Sequence, residues 1–297
     1  MSRRGWVLFI AMGVIWGVPY LLIKVAVSGL TPASLVFWRT ALAALLLVPL
    51  AAARGQLRPL LPRWRPLLAY TAAELAIPWL FLSNAEKHLS SSLTGLLIAA
   101  VPLVSALLAW LTGGERLGVR RVAGLLIGIA GVGALVGLDL GVDDTWALVQ
   151  MGIVVIGYAV GPFLLARYLS DSPGMGVVAA SLLLTAVVYL PFAIVQRPPA
   201  MPSTNVVLSV VGLAVLCTAV AFLLFFALID EVGPVRATVI TYVNPAVAVA
   251  LGVTLLGEPF TAGIVVGFVL VLAGSVLATR RAPAARVREE VPACAPS

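Results

Sequence analysis

Ten apolar runs of about twenty residues fill this 297-residue chain almost from end to end: 6–27, 33–53, 66–86, 92–112, 119–138, 146–168, 175–196, 204–228, 234–256 and 260–279. Each is long enough to cross the hydrocarbon core of a bilayer. Lipid offers the backbone no hydrogen-bonding partner, so each run must satisfy its own N–H and C=O groups as a helix. Charged residues are 10% of the chain against 62% hydrophobic, where a soluble domain needs about a quarter charged. The expected fold is an all-α integral membrane protein with ten transmembrane helices. The first run is too long for a signal peptide, carries Pro19 and Lys24, and has no small-residue cleavage site, so it is read as the first helix.

The runs are written twice. Adding 143 to a residue number takes Pro102 to Pro245, Gly114 to Gly257, Glu115 to Glu258, Gly124 to Gly267 and Gly131 to Gly274. The same offset pairs Pro19 with Pro162 and Lys24 with Arg167. Coincidences at one ungapped offset mark a duplicated unit. The expected units are residues 1–138 and 146–279, five helices each, followed by a disordered cytoplasmic tail over 280–297 that lacks apolar content. Five is odd, so the second unit enters the membrane from the other side and the repeat is inverted.

Basic residues set the orientation. With the N-terminus in the cytoplasm, fifteen Lys and Arg residues fall on the inner side and only Lys87 and Arg197 on the outer, with Lys24 and Arg39 inside spans. The positive-inside rule therefore places both termini in the cytoplasm of a multi-pass cell (inner) membrane protein. The net charge of +7 sits in short loops and not on a continuous face, so no nucleic-acid partner is expected. The two cysteines, Cys217 in an apolar run and Cys294 in the tail, predict no disulfide. His88 is the one histidine, so no metal site and no cofactor is expected. The glycine spacings Gly13–Gly17, Gly124–Gly128, Gly133–Gly137 and Gly263–Gly267 suit close helix contact within the bundle; a monomer and a homodimer both remain open.

Glu74 is the one acid deep in a run. A carboxylate near the bilayer centre costs at least a few kcal/mol, so it must face a wet cavity, pair, or carry a proton. It is the candidate for proton coupling or for a substrate amine; the alternative is a protonated residue that bonds a neighbouring helix. Trp16, Tyr20, Trp79, Tyr158, Tyr242 and Asn244 combine apolar area with a few polar groups, as small-molecule sites do, and join Glu74 as candidate substrate contacts. Helix packing uses similar residues. Pro19, Pro102, Pro162 and Pro245 interrupt matching runs at matching depth and are the candidate hinges, whereas Pro78 has no counterpart. Lys24 is expected to snorkel to the interface, and Arg39 to pair with Glu86 as a gate or structural clamp. Glu115 and Glu258, each after a glycine in a tight turn, suit a helix-capping or turn role.

These residues resemble a known family. Trp16-Gly17 followed by Lys24, then Phe37-Trp38-Arg39-Thr40-Ala41, then the Gly114-Glu115 and Gly257-Glu258 turns, are similar in order and spacing to the EamA-type transporters of the drug/metabolite transporter superfamily. The resemblance covers about residues 8–279. It implies a transporter moving small metabolites, amino acids or drugs without ATP. The second half departs from it: Ala159-Val160 stands opposite Trp16-Gly17, and Leu182 opposite Arg39.

An enzyme is the rival class, but the chain has no His-Glu-x-x-His, no Gly-x-Ser-x-Gly and no Walker loop. A passive scaffold has no need of a duplicated unit with matched prolines. The expected function is a secondary transporter, exporter or permease, of small metabolites such as amino acids. The alternative is a proton-coupled multidrug exporter of cationic compounds.

Overall fold

The computed structural model describes residues 1–113, 118–139 and 145–279. Glu115, the Asp143–Asp144 loop, Cys294 and the rest of the tail lie outside the described residues. Ten helices are long and apolar enough to span a membrane: α1 Arg3–Ala26, α2 Pro32–Ala53, α3 Arg58–Ala85, α4 Ser91–Leu111, α5 Val119–Gly137, α6 Thr145–Tyr168, α7 Gly174–Val195, α8 Thr204–Val232, α9 Thr238–Leu256 and α10 Ala262–Thr279. Local chemistry sets several starts. Thr31 caps α2 by accepting from the Ser34 N–H at 3.3 Å, with Pro32 behind it, and Ser90 caps α4 through the Leu93 N–H at 3.1 Å.

The helices pack as a duplicated unit requires. With the offset of 143, α2 corresponds to α7, α4 to α9 and α5 to α10, and each of these pairs is in contact. The α3–α6 contact becomes α8–α1 under the same offset, and that contact is also made. The tightest seam joins α5 to α10. A Cβ on Gly131 would sit 2.6 Å from the Val271 nitrogen, and one on Gly274 would sit 2.6 Å from the Gly124 carbonyl oxygen, so only glycine fits. Gly133 and Gly137 face open space, contrary to the packing expected of that pair. Leu45, Ile156 and Val187 point outward, as lipid allows.

The spans are not smooth rods. α1 breaks at Trp16–Val18: the Gly17 N–H turns to Val14, which leaves the Gly13 carbonyl without its helical donor. Asn244 of α9, with its amide NH₂ facing the carbonyls, donates to Gly13 and to Ile240, each at 3.0 Å. α4 breaks at Ala99–Ala100 just before Pro102, and there Ser275 of α10 donates to the Ala99 carbonyl at 3.0 Å. α9 begins as a 3₁₀ segment, Thr238–Tyr242, before Pro245. Pro162 departs from the expectation, because α6 runs unbroken through it. A proline removes one bond, and one lost bond does not by itself open a helix held on its neighbours.

α3 and α8 are the two longest spans, at 28 and 29 residues, and each contains a π-turn. The first covers Ala72–Ala76 and the second Val215–Val220, and 215 − 72 is again 143. In α3 the Ile77 N–H reaches back five residues to the Ala72 carbonyl. Pro78 lies just beyond, where its missing N–H favours the wider turn, yet α8 makes its π-turn without a proline.

Candidate functional site

The polar residues gather where α1, α2, α3, α6 and α8 meet, and Arg39 is at the centre. It is 7% exposed. Its guanidinium lies over the Trp79 ring, 3.6 Å from the centroid, and its Nε–H donates to the Thr218 hydroxyl at 3.1 Å. Arginine stacks in this way because its cation is planar and weakly hydrated, and a desolvated cation–π contact contributes about 2 kcal/mol. Thr218 is held in turn by the second π-turn, where its hydroxyl donates to the Leu213 carbonyl at 2.7 Å, five residues back. Tyr20 of α1, 7% exposed, and Tyr158 of α6 lie within electrostatic reach of Arg39.

The ion pair expected between Arg39 and Glu86 does not form. Among the described residues the one ion pair is Arg63–Asp171, at 3.3 Å on the surface. Such a pair contributes at most about 1 kcal/mol. Lys24 has definite partners as well. Its ammonium donates to the carbonyls of Glu86 and Leu89, both at 2.7 Å, and so closes the end of α3. Bare carbonyls at a helix C-terminus carry partial negative charge, which favours a nearby ammonium.

Glu74 sits inside the first π-turn, and its Oε2 is buried without a hydrogen-bond partner. The side chain rests on Gly161 of α6, where an added Cβ would meet the carboxylate, and Gly157 one turn earlier gives the same clearance to the Ala73 carbonyl. These two glycines admit α3 to α6. Gly161→Ala is therefore expected to push Glu74 off its seat and lower the melting temperature of the purified protein by several degrees, since overpacking costs about 1–3 kcal/mol. Gly152→Ala, on the same helix with open space around it, is the control and should melt like the parent.

The other predicted contacts go elsewhere. Trp16 packs against Phe225, tilted at a centroid distance of 4.8 Å, and edge-to-face against Phe222 at 5.9 Å, both on α8. The Tyr242 hydroxyl shares a hydrogen bond with Thr279 at 3.1 Å, at the end of α10, and Asn244 bonds carbonyls at the α1 break. Thr218 escaped notice and Cys217 was noted only as unpaired, because a threonine or a cysteine in an apolar run carries no site signal alone. The offset of 143, which maps Glu74 onto Cys217, would have pointed there. A cleft of about 480 Å³ between α2, α3 and α7 is lined by Leu80, Asn84, Tyr189 and Gln196 among others. It holds no charged side chain and none of the predicted contacts.

Glu258 follows Gly257, whose φ of 66° turns the chain back at the end of α9. Its carboxylate accepts from the N–H groups of Ser91 and Ser92, at 2.6 and 2.9 Å, and from the Ser92 hydroxyl at 2.5 Å. It is a cap, as expected, but it caps the start of α4 rather than its own turn.

Ten membrane-length helices, contacts that exchange under one offset and a polar cluster walled by five spans define the class of two-repeat membrane transporters. The description of the EamA-like transporter family matches residues 3–137 and again 145–280, and the chain belongs to that family. An uncharacterized inner membrane transporter of Escherichia coli (strain K12), YedA, is 30% identical over 84% of this chain and 81% of its own. A protein of Streptantibioticus cattleyicolor described as a probable terminal-alkyne amino-acid exporter is 29% identical over 95% of both chains. A solved crystal structure, 22% identical, shares the fold with a TM-score of 0.67 over 94% of this chain. The protein is a transporter and not an enzyme.

Proposed function

We propose that this protein exports small, partly apolar metabolites such as amino acids by alternating access, without ATP. The observation that carries the reading is the buried cluster of Arg39, Trp79, Tyr20 and Tyr158, which offers charge, hydrogen bonding and aromatic surface together at the meeting of five spans. Amino-acid head groups and apolar side chains call for that combination. The likeness to the Streptantibioticus cattleyicolor exporter supports the substrate class. The matched π-turns in α3 and α8 supply paired points of backbone compliance, which an inverted repeat uses to rock one half against the other. On the positive-inside count, both termini are cytoplasmic.

Glu74 favours a second reading, a proton-coupled exporter of cationic compounds, because its buried Oε2 has no protein partner. The test is flux of an amino-acid panel and of cationic dyes in proteoliposomes, with and without a pH gradient. Saturable amino-acid flux indifferent to the gradient is expected. Glu74→Gln should then keep at least half of that flux with normal expression. Dye flux that follows the gradient and falls at least tenfold in Glu74→Gln would establish the second reading instead.

A further inference from the structure

Two ionisable side chains of opposite type are buried in the cluster, and each keeps hydrogen-bonding groups that no described residue uses. Arg39 uses its Nε–H on Thr218 and its face on Trp79, while its terminal nitrogens bond no described residue. Glu86, at the end of α3, is 0% exposed, and both of its carboxylate oxygens lack a hydrogen-bond partner. Lys24 is beside it, but the ammonium is engaged by backbone carbonyls. Glu258 is near as well, engaged with Ser91 and Ser92. Arg39 and Glu86 sense each other electrostatically and yet stay beyond ion-pair distance. Tyr20 and Tyr158 are within electrostatic reach of both.

A buried ionisable group without a partner is costly, and closing the gap between these two would let each answer the other. The fold holds them apart instead: Trp79 and Thr218 fix the guanidinium, and Lys24 fixes the end of α3 that carries Glu86. A ligand bearing a negative and a positive end a few bonds apart answers both charges at once. We propose that Arg39 and Glu86 bind the head group of an α-amino acid zwitterion, the carboxylate on the Arg39 guanidinium and the ammonium on Glu86, with the Tyr20 and Tyr158 hydroxyls as further ligands. The free guanidinium nitrogens match a carboxylate in bidentate geometry. This assignment rests on the amino-acid reading above and narrows it to substrates carrying both groups.

The experiment compares three probes of one side chain in proteoliposomes: L-leucine, its des-amino analogue 4-methylpentanoate, and its des-carboxy analogue 3-methylbutylamine. The parent protein is expected to move leucine at least tenfold faster than either analogue. Glu86→Gln should lose most leucine flux while narrowing the gap to 4-methylpentanoate, and Arg39→Gln should narrow the gap to 3-methylbutylamine. Melting temperatures identify any variant that fails to fold; in its place Arg39→Lys or Glu86→Asp, which keep the charge at a changed reach, should lower leucine flux severalfold while keeping the parent's preference for leucine over both analogues, and loss of that preference would overturn the assignment. Leucine flux with no preference over the analogues, or equal loss of all three probes in folded variants, overturns the zwitterion site and leaves the amino-acid reading standing. A parent protein that moves no member of the amino-acid panel but does move dyes overturns both.

Discussion

Gly274→Leu is expected to leave almost no folded protein in the membrane. The α5–α10 seam is built backbone to backbone: a Cβ on Gly274 would meet the backbone of Gly128 and lie 2.6 Å from the Gly124 carbonyl oxygen, while one on Gly124 would lie 2.8 Å from the Gly274 carbonyl oxygen. No side-chain rotation relieves a clash with backbone, so α5 and α10 must separate along their length. Overpacking in a core costs about 1–3 kcal/mol where neighbours can shift, and here they cannot. Between helices in lipid, close van der Waals packing is itself the attraction, so loss of contact is not offset by a hydrophobic term. The measurement is the yield of monodisperse protein in mild detergent. Gly133→Leu, also on α5 but facing open space, should give parental yield. Equal yields from the two variants would mean that the seam does not hold the halves together.

Glu258→Ala should destabilise the protein by about 3 kcal/mol, because hydrogen bonds to a charged group contribute roughly 1.5–3 kcal/mol each and a buried donor left bare costs a similar amount. The carboxylate joins the end of α9 to the start of α4, so its loss frees the Ser91 and Ser92 N–H groups together. Gly252 leaves room for this approach, since a Cβ there would meet the Glu258 carboxylate and the Ser92 hydroxyl. Hydrogen exchange over residues 91–94 is the direct readout and should quicken in the variant. Glu258→Gln should fall between the two, because one oxygen still accepts while the NH₂ faces a donor. Unchanged exchange at Ser91 and Ser92 would show that Ser90 and water suffice to cap α4.

Most of the architecture was legible in the residues. Run length and the absence of charge gave ten helices whose ends fall within a few residues of those found, apart from the starts of α3 and α9 and the end of α8. α3 and α8 run longer than their apolar runs. Hydropathy reports only the part of a helix that lipid touches, so Arg58–Arg65 and Ile229–Val232 were left out of the reading. Tyr20, Trp79, Tyr158, Arg39 and Glu86 were all marked, because a polar or aromatic group in an apolar run is visible by type alone.

Their partners were not legible. Arg39 was assigned to Glu86 because opposite charges attract, whereas the structure gives it to Trp79 and Thr218. Glu258 was read as a helix-capping or turn residue, but nothing in its own segment showed that the helix it caps begins 166 residues away in sequence. The prolines were read as the matched interruptions, yet α6 runs straight through Pro162 while the matched π-turns fall in α3, around Glu74, and in α8, where no irregularity was expected. The difference has one physical cause. The sequence by itself determined what lipid demands of each segment, since burial in hydrocarbon acts on one helix at a time and is written in that helix's own residues. Only the tertiary structure decided which groups meet, because an orphaned carbonyl, a bare N-terminus or a buried charge is answered by whatever the packing of other helices brings within about 3 Å.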